Sequence, residues 1–333
     1  MRLIKRLMFL VLLSTCAFAG WLAWFANTPL TLPSQSPGPL DFSVPPGLAL
    51  RAISRQMADA GLGFSPWQFT LLARLAGKSA AIKAGSYEAE PGITPWQLLK
   101  KLTRGDVSQA EIVFVEGSTF RQMRAVLDAH MAVRHDTTGM LNQEILTRIG
   151  ATERHPEGLF FPDTYLFAKN ASDLDILKRA YHAMQRQLDN EWANRDVDVP
   201  FAKPYEALIM ASIIEKETGR AADRALISSV FSNRLRAGML LQTDPAVIYG
   251  VGEQYDGNLR KRNLLADTPY NTYTRTGLPP TPIAMPGLAS IQAALHPQQS
   301  DNFYFVARGD GTSKFSRNLD EHNRAVAKYQ KGR

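Results

Sequence analysis

The feature that most limits what this chain can become is an uncharged run from Leu7 to Ala26, preceded by Arg2, Lys5 and Arg6. As a helix rising 1.5 Å per residue, about 20 such residues reach roughly 30 Å, the thickness of a hydrocarbon core. The run reads as a membrane-spanning helix. With its cationic flank held in the cytoplasm, everything after Asn27 lies on the outer side of the inner membrane, in the periplasm. A second reading is a cleaved signal peptide, since Ala17-Phe18-Ala19 resembles a small-x-small cleavage site. Against cleavage, the apolar run continues through Trp21, Leu22, Trp24 and Phe25, and tryptophan suits an interfacial belt. A lipoprotein reading at Cys16 is poorer, because the preceding Thr15 is not the small residue such processing favours.

Residues 27–40 carry Pro29, Pro33, Pro37, Gly38 and Pro39, the composition of an extended linker. The remaining chain can build real cores: of 333 residues, 45% are hydrophobic and 21% charged, ordinary for a folded protein. A net charge of +7 suits an anionic partner. No compact Lys/Arg run occurs beyond the N-terminus, which argues against a nucleic-acid groove. The single Cys16 excludes a disulfide framework and a thiolate metal site, and no His-x-x-x-His pair, Walker loop or dinucleotide fingerprint is present, so neither metal nor cofactor is expected.

From Asp41 a strand, a proline-glycine turn and a helix appear twice, at Val44 to Met57 and at Tyr87 to Leu102. Ser65-Pro66 and Thr94-Pro95 mark capped helix starts. A third, looser copy is Ile112 to Gly117 leading to a helix from Ser118. Units of this size resemble the small peptidoglycan-binding module called LysM. A small α+β domain with only a spacing role fits the pattern equally well.

Chemistry concentrates further on. On a helix through Ala207 to Thr218, Met210, Ile213 and Ile214 precede Glu217 by seven, four and three positions and share its face. A carboxyl group pressed against aliphatic side chains loses hydration, so its pKa rises towards neutrality, as a general acid requires. Glu215 falls on nearly the opposite side, with Leu208 and Ser212. The alternative is a polar last helical turn with both glutamates in solvent and Gly219 ending it. Leu241-Gln242-Thr243-Asp244-Pro245 opens another helix, which Asp244 can cap and Pro245 begin; Gln242 has no such local role, and its amide suits a sugar hydroxyl. Residues 267–287 form a long proline-stiffened loop, of the sort that is most often functional, expected to close over Glu217. Tyr270, Asn271 and Tyr273 cluster at its start, where rings can stack on sugar faces and the amide can hold hydroxyl and acetamido groups. The aromatic run Glu157 to Tyr165 reads as strand and turn beside a pocket. His296 and His322 read as packing or capping groups.

The blocks Glu157-Gly-Leu-Phe-Phe-Pro-Asp-Thr-Tyr165, Ala211-Ser-Ile-Ile-Glu-Lys-Glu-Thr218, Leu241-Gln-Thr-Asp-Pro245, Tyr270-Asn-Thr-Tyr273 and Gly277-Leu-Pro-Pro280 resemble, in type and order, those of the endolytic murein transglycosylase family, the MltG or YceG-like proteins. The resemblance covers the chain from the membrane helix to Tyr329. One departure is Met285-Pro286-Gly287, where many relatives have Asn-Pro-Gly, so no polar contact is carried onto position 285. The resemblance implies an α+β chain: a cytoplasmic tail (1–6), a single transmembrane helix (7–26), a linker (27–40), a LysM-like α/β subdomain (41–110) and a YceG-like mixed α+β catalytic domain (111–333). It implies cleavage of the MurNAc to GlcNAc β-1,4 bond of nascent peptidoglycan strands with a 1,6-anhydro product, Glu217 as catalytic acid, and a murein synthase as partner. Two rivals stand beside it. One is a hydrolytic muramidase with Glu157, Asp163 or Asp244 as second carboxylate; the other is a non-catalytic wall-binding scaffold.

Overall fold

The computed structural model describes residues 2–32 and 39–330, so part of the expected linker, 33–38, lies outside the described residues. The chain forms two units: Met1–Ala110 with Leu166–Ala171, and Glu111–Tyr165 with Ser172–Arg333.

The first unit begins with α1 (Arg2–Asn27). Every side chain from Ile4 to Gly20 is exposed, while Trp21 and Leu22 are half-buried and Phe25 and Ala26 buried. β1 (Leu40–Val44), α2 (Leu50–Asp59), α3 (Pro66–Leu75), β2 (Gly85–Ala89) and α4 (Pro95–Arg104) follow. The two strands pair antiparallel from Leu40 opposite Ala89 to Val44 opposite Gly85. Alternation sends Phe42, Val44, Tyr87 and Ala89 inward, where they meet Met57, Phe69, Leu98 and Leu102. Capping boxes at Ser65/Gln68 and Thr94/Gln97 start α3 and α4 where Ser-Pro and Thr-Pro mark them. The start of the expected linker is not free: Leu30 is buried and donates its N–H to Ile93 O at 2.8 Å, and Gly63 N–H bonds Thr31 O at 3.0 Å. β3 (Gln109–Val113) runs out of this unit.

The second unit comprises α5 (Phe120–Asp128), β4 (Val133–Arg134), α6 (Asn142–Ile149), the start of β5 (Thr164–Ala168), the end of β6 (Ala171–Ser172), and α7 (Asp173–Ala193), α8 (Pro204–Glu217), α9 (Ala221–Arg236), α10 (Asp244–Val251), α11 (Lys261–Leu265), α12 (Leu288–Leu295), β7 (Tyr304–Ala307), β8 (Ser313–Ser316) and α13 (Leu319–Gln330). Its axis is α8, packed by α12, α7, α9 and α10. All residues from Ala207 to Ile214 are buried, so α8 is apolar all round rather than the one-sided stripe expected from its period. β7 and β8 form an antiparallel hairpin, Tyr304 opposite Ser316, against which α13 packs.

The proline half of the 267–287 loop does not close over Glu217. Ile283 N–H donates to Ser212 Oγ at 3.0 Å, and Met285 exchanges backbone bonds with Gly117 and Ser118, both 2.8 Å. Ser212 lies on the far side of α8 from Glu217, so this half seals the back of the helix. Pro282 packs on Gly158, whose positive φ of 78° and absent Cβ permit the approach.

Candidate active site

The last three residues of α8 each do something different. Glu215 Oε2 accepts the N–H of Gly287 at 3.0 Å and the hydroxyl of Ser290 at 2.7 Å, capping α12 from outside that helix. Lys216 Nζ donates to Gly117 O at 3.1 Å. Glu217 is half-buried, with its carboxylate on a cavity of about 610 Å³. The reading of both acids as solvated therefore fails for Glu215 as well as Glu217.

Opposite Glu217 runs the segment Leu241–Asp244. Thr243 Oγ1 donates to Glu217 Oε1 at 2.6 Å, and Glu217 Oε2 has no partner among the described residues. The segment is held from two sides. Thr272 takes the N–H of Gln242 on its carbonyl (3.0 Å) and that of Thr243 on its hydroxyl (3.0 Å), then returns a hydroxyl bond to Thr243 O at 3.2 Å. Arg234, itself buried, donates from Nη1 to Leu241 O at 2.7 Å and from Nε to Phe303 O at 2.7 Å. Between these braces Gln242 sits at φ 52°, a left-handed conformation that a side chain with a Cβ adopts only when its surroundings impose it.

Burial pushes the Glu217 carboxyl up to about 7. The Thr243 hydroxyl works against that rise by bonding the charged form, nearby Asp244 adds to it, and the Arg234 guanidinium opposes it. Asp244 is the first residue of α10 and makes no cap bond, which corrects its expected role; its Oδ1 accepts the Tyr273 hydroxyl at 2.6 Å. Burial and the Asp244 partner both raise the Tyr273 phenol, keeping it neutral and a donor.

Four of the six residues expected from sequence therefore gather on one cavity: Glu217, Gln242, Asp244 and Tyr273. The other two do not. Asn271 is only 1% exposed, its amide donating to the carbonyls of Asn263, Leu264 and Ala266 and its oxygen accepting Tyr273 N–H. Its polarity is consumed in shaping the loop, and it offers nothing to a sugar. Tyr270 bonds Thr281 and packs edge-on against Tyr249, off the cavity.

Thr243, Arg234 and Tyr304 are cavity or brace residues that sequence reasoning passed over. His322, expected to pack or cap, lines the cavity with its ring stacked on Tyr304 at 5.1 Å, and burial lowers its pKa. The carboxylates considered as partners for Glu217 separate as well. Glu157 lines another cavity, where it accepts Phe120 N–H at 2.8 Å and the Tyr249 hydroxyl at 3.0 Å, and burial pushes it up to about 7. Asp163 is exposed and binds the following N–H. Only Asp244 shares the Glu217 cavity.

The arrangement can deliver a proton. Because Thr243 donates to Oε1, the acidic proton belongs on Oε2, which has no partner among the described residues. The sequence from residue 42 to 328 matches the model of the YceG-like family. A protein of Bacillus subtilis named endolytic murein transglycosylase is 34% identical over 310 residues, spanning 87% of this chain and 84% of that protein. A Streptococcus pneumoniae protein of the same name is 27% identical, over 98% of this chain but 64% of its own length. Among solved structures, a yceG-like protein from Listeria monocytogenes superposes with a TM-score of 0.54 at 30% identity, covering 87% of this chain and 99% of that one.

Proposed function

The chain belongs to the YceG-like family, and from that premise we infer that it is an endolytic murein transglycosylase, a lyase that cuts inside peptidoglycan strands. The bond broken is the β-1,4 link from MurNAc to GlcNAc. Protonated Glu217 gives the Oε2 proton to the glycosidic oxygen as the bond from C1 breaks. The muramyl 6-hydroxyl then attacks C1 and passes its proton to the Glu217 carboxylate, which closes a 1,6-anhydro ring and restores the acid. No water is consumed. One carboxyl suffices, since the internal hydroxyl replaces the second carboxylate of hydrolytic glycosidases and its proximity makes closure effectively unimolecular.

The observation that carries this reading is a cavity-facing carboxyl poised near neutrality with one oxygen held by Thr243. Gln242 and Tyr273 supply polar contacts for the sugar, and the Tyr304 and His322 rings line the same space. Asp244 in this cavity favours keeping the hydrolytic muramidase as a second reading. Mass spectrometry of products from purified glycan strands decides: an intact 1,6-anhydro end supports the lyase, an added water supports the hydrolase, and no product supports a wall-binding scaffold.

The remaining features extend this reading. The apolar α1 anchors the chain in the inner membrane with the catalytic unit in the periplasm. The 41–110 region, built from the strand-turn-helix repeats, is a LysM-like module that holds glycan, and a murein synthase supplies nascent strands whose growth the cut terminates. An N-terminus retained after carbonate washing of membranes supports the anchor; a soluble form beginning near Gly20 refutes it.

A further inference from the structure

We propose that the first folded unit is seated in the bilayer interface, with Trp67 inserted among lipid headgroups and upper acyl chains. The argument rests on the anchor reading of α1 and on a conflict over its last turns. Leu22, Phe25 and Ala26 lie at the end of the apolar run, yet they pack into the core of the first unit, with Phe25 and Ala26 buried there and Trp21 stacked on Phe25 beside them. If the unit stood clear of the membrane, these turns would leave with it. Only Leu7 to Gly20 would remain, and 14 helical residues reach about 21 Å, well short of a hydrocarbon core of about 30 Å. The chain Trp21–Ala26 supplies the missing length, so the same residues serve the bilayer and the unit at once.

Trp67 is what this places in lipid. Its ring stacks on Trp21 at 5.3 Å with planes 11° apart, at the start of α3, and it remains 56% exposed. Trp21 lies five residues, about 8 Å, inside the end of the span, so an indole stacked on it reaches the upper acyl chains just beneath the interfacial belt that tryptophan favours. The junction holds that depth. Beyond α1 the chain is bonded to the unit through Leu30 and Thr31, leaving no slack between helix and unit.

The test uses full-length protein in phosphatidylethanolamine/phosphatidylglycerol vesicles, labelled with an environment-sensitive fluorophore and challenged with lipids spin-labelled at shallow or deep acyl positions. Native Cys16 is the only cysteine and reports whether α1 is in the bilayer. Cys16→Ser with Trp67→Cys reports the proposed contact, and Cys16→Ser with Val197→Cys, at a fully exposed position, is the aqueous control. The expected result is deep quenching at 16, blue-shifted emission with shallow quenching at 67, and neither at 197. Absence of quenching at 16 overturns the anchor reading itself. Quenching at 16 with a water-like label at 67, or a label that dries only when glycan strands are added, overturns the seating and assigns Trp67 to water or to sugar. An independent readout keeps the native fold: brominated lipid should quench total tryptophan emission less in Trp67→Phe than in the parent, and equal quenching counts against the proposal.

Discussion

Glu217→Gln keeps an oxygen to accept the Thr243 hydroxyl but has no proton to transfer, so turnover should drop by about a thousandfold with the fold intact. Stability gives a second signature. The carboxyl is raised from 4.5 to about 7, so its neutral form suits the folded state: its contribution is complete below the unfolded value and is lost as pH climbs from 4.5 through about 7. The glutamine variant escapes that loss. Its unfolding free energy should match the parent's near pH 4 and exceed it near pH 8, by about 1 to 2 kcal/mol once partial exposure is allowed for, with Tm moving in the same sense. Activity should fall as pH rises through about 7, and two neighbours should move that limb oppositely. Thr243→Val removes a bond that favours the charged form and shifts the limb up, whereas Asp244→Asn removes a repelling charge and shifts it down. Limbs of kcat/KM that stay fixed in both variants would exclude Glu217 as the titrating acid. What was legible in the sequence is the raised pKa of the Glu217 carboxyl, expected from its apolar surroundings and matched by its burial. Thr243 was not, because its hydroxyl arrives from 26 residues away.

Among the elements, α8 is where periodicity misled most usefully. A stripe of three predicts one apolar face, but α7, α9, α10 and α12 wrap the helix, and no local pattern distinguishes a face awaiting solvent from one awaiting another helix. The consequence falls on Glu215, which the alternative reading leaves in solvent, yet which caps α12 across 72 residues of sequence. Glu215→Ala should lower stability by about 1 to 3 kcal/mol through the stripped Gly287 N–H and Ser290 hydroxyl, with Glu215→Gln recovering part of it. In chemical denaturation the folded fraction of either variant should keep its pH limb near 7, since the site stands on the other side of α8; a displaced limb would tie Glu215 to the chemistry. The Leu241–Asp244 segment behaves conversely. Gln242→Gly relieves the positive φ and should leave stability equal or about 1 kcal/mol higher, while activity falls with the lost amide. A variant that is both less stable and fully active would mean the backbone is unstrained and the side chain idle.

At the scale of the whole chain, the sequence made its parts easier to see than their boundaries. Cap signals such as Thr94-Pro95 and the alternation in Phe42 to Val44 depend on neighbours a few residues away, and they stand as read. The stretch after the apolar run misled because proline density reads as an extended linker, whereas Leu30 and Thr31 are bound to the first unit and Phe25 and Ala26 lie in its core. Composition reports what a segment cannot form, not what it can lean against. A soluble fragment beginning at Trp21 should therefore keep the core of the first unit, and one beginning at residue 33 should lose a wall of it. Burial of Phe25 and Leu30 alone amounts to about 3 to 5 kcal/mol as an upper bound, a large share of a typical domain stability of about 5 to 15 kcal/mol. Limited proteolysis reads the effect locally: cleavage within 41–110 should accelerate in the shorter fragment while 172–330 resists equally in both. Equal resistance of 41–110 in the two fragments would mean that the end of α1 rests on the unit without supporting it.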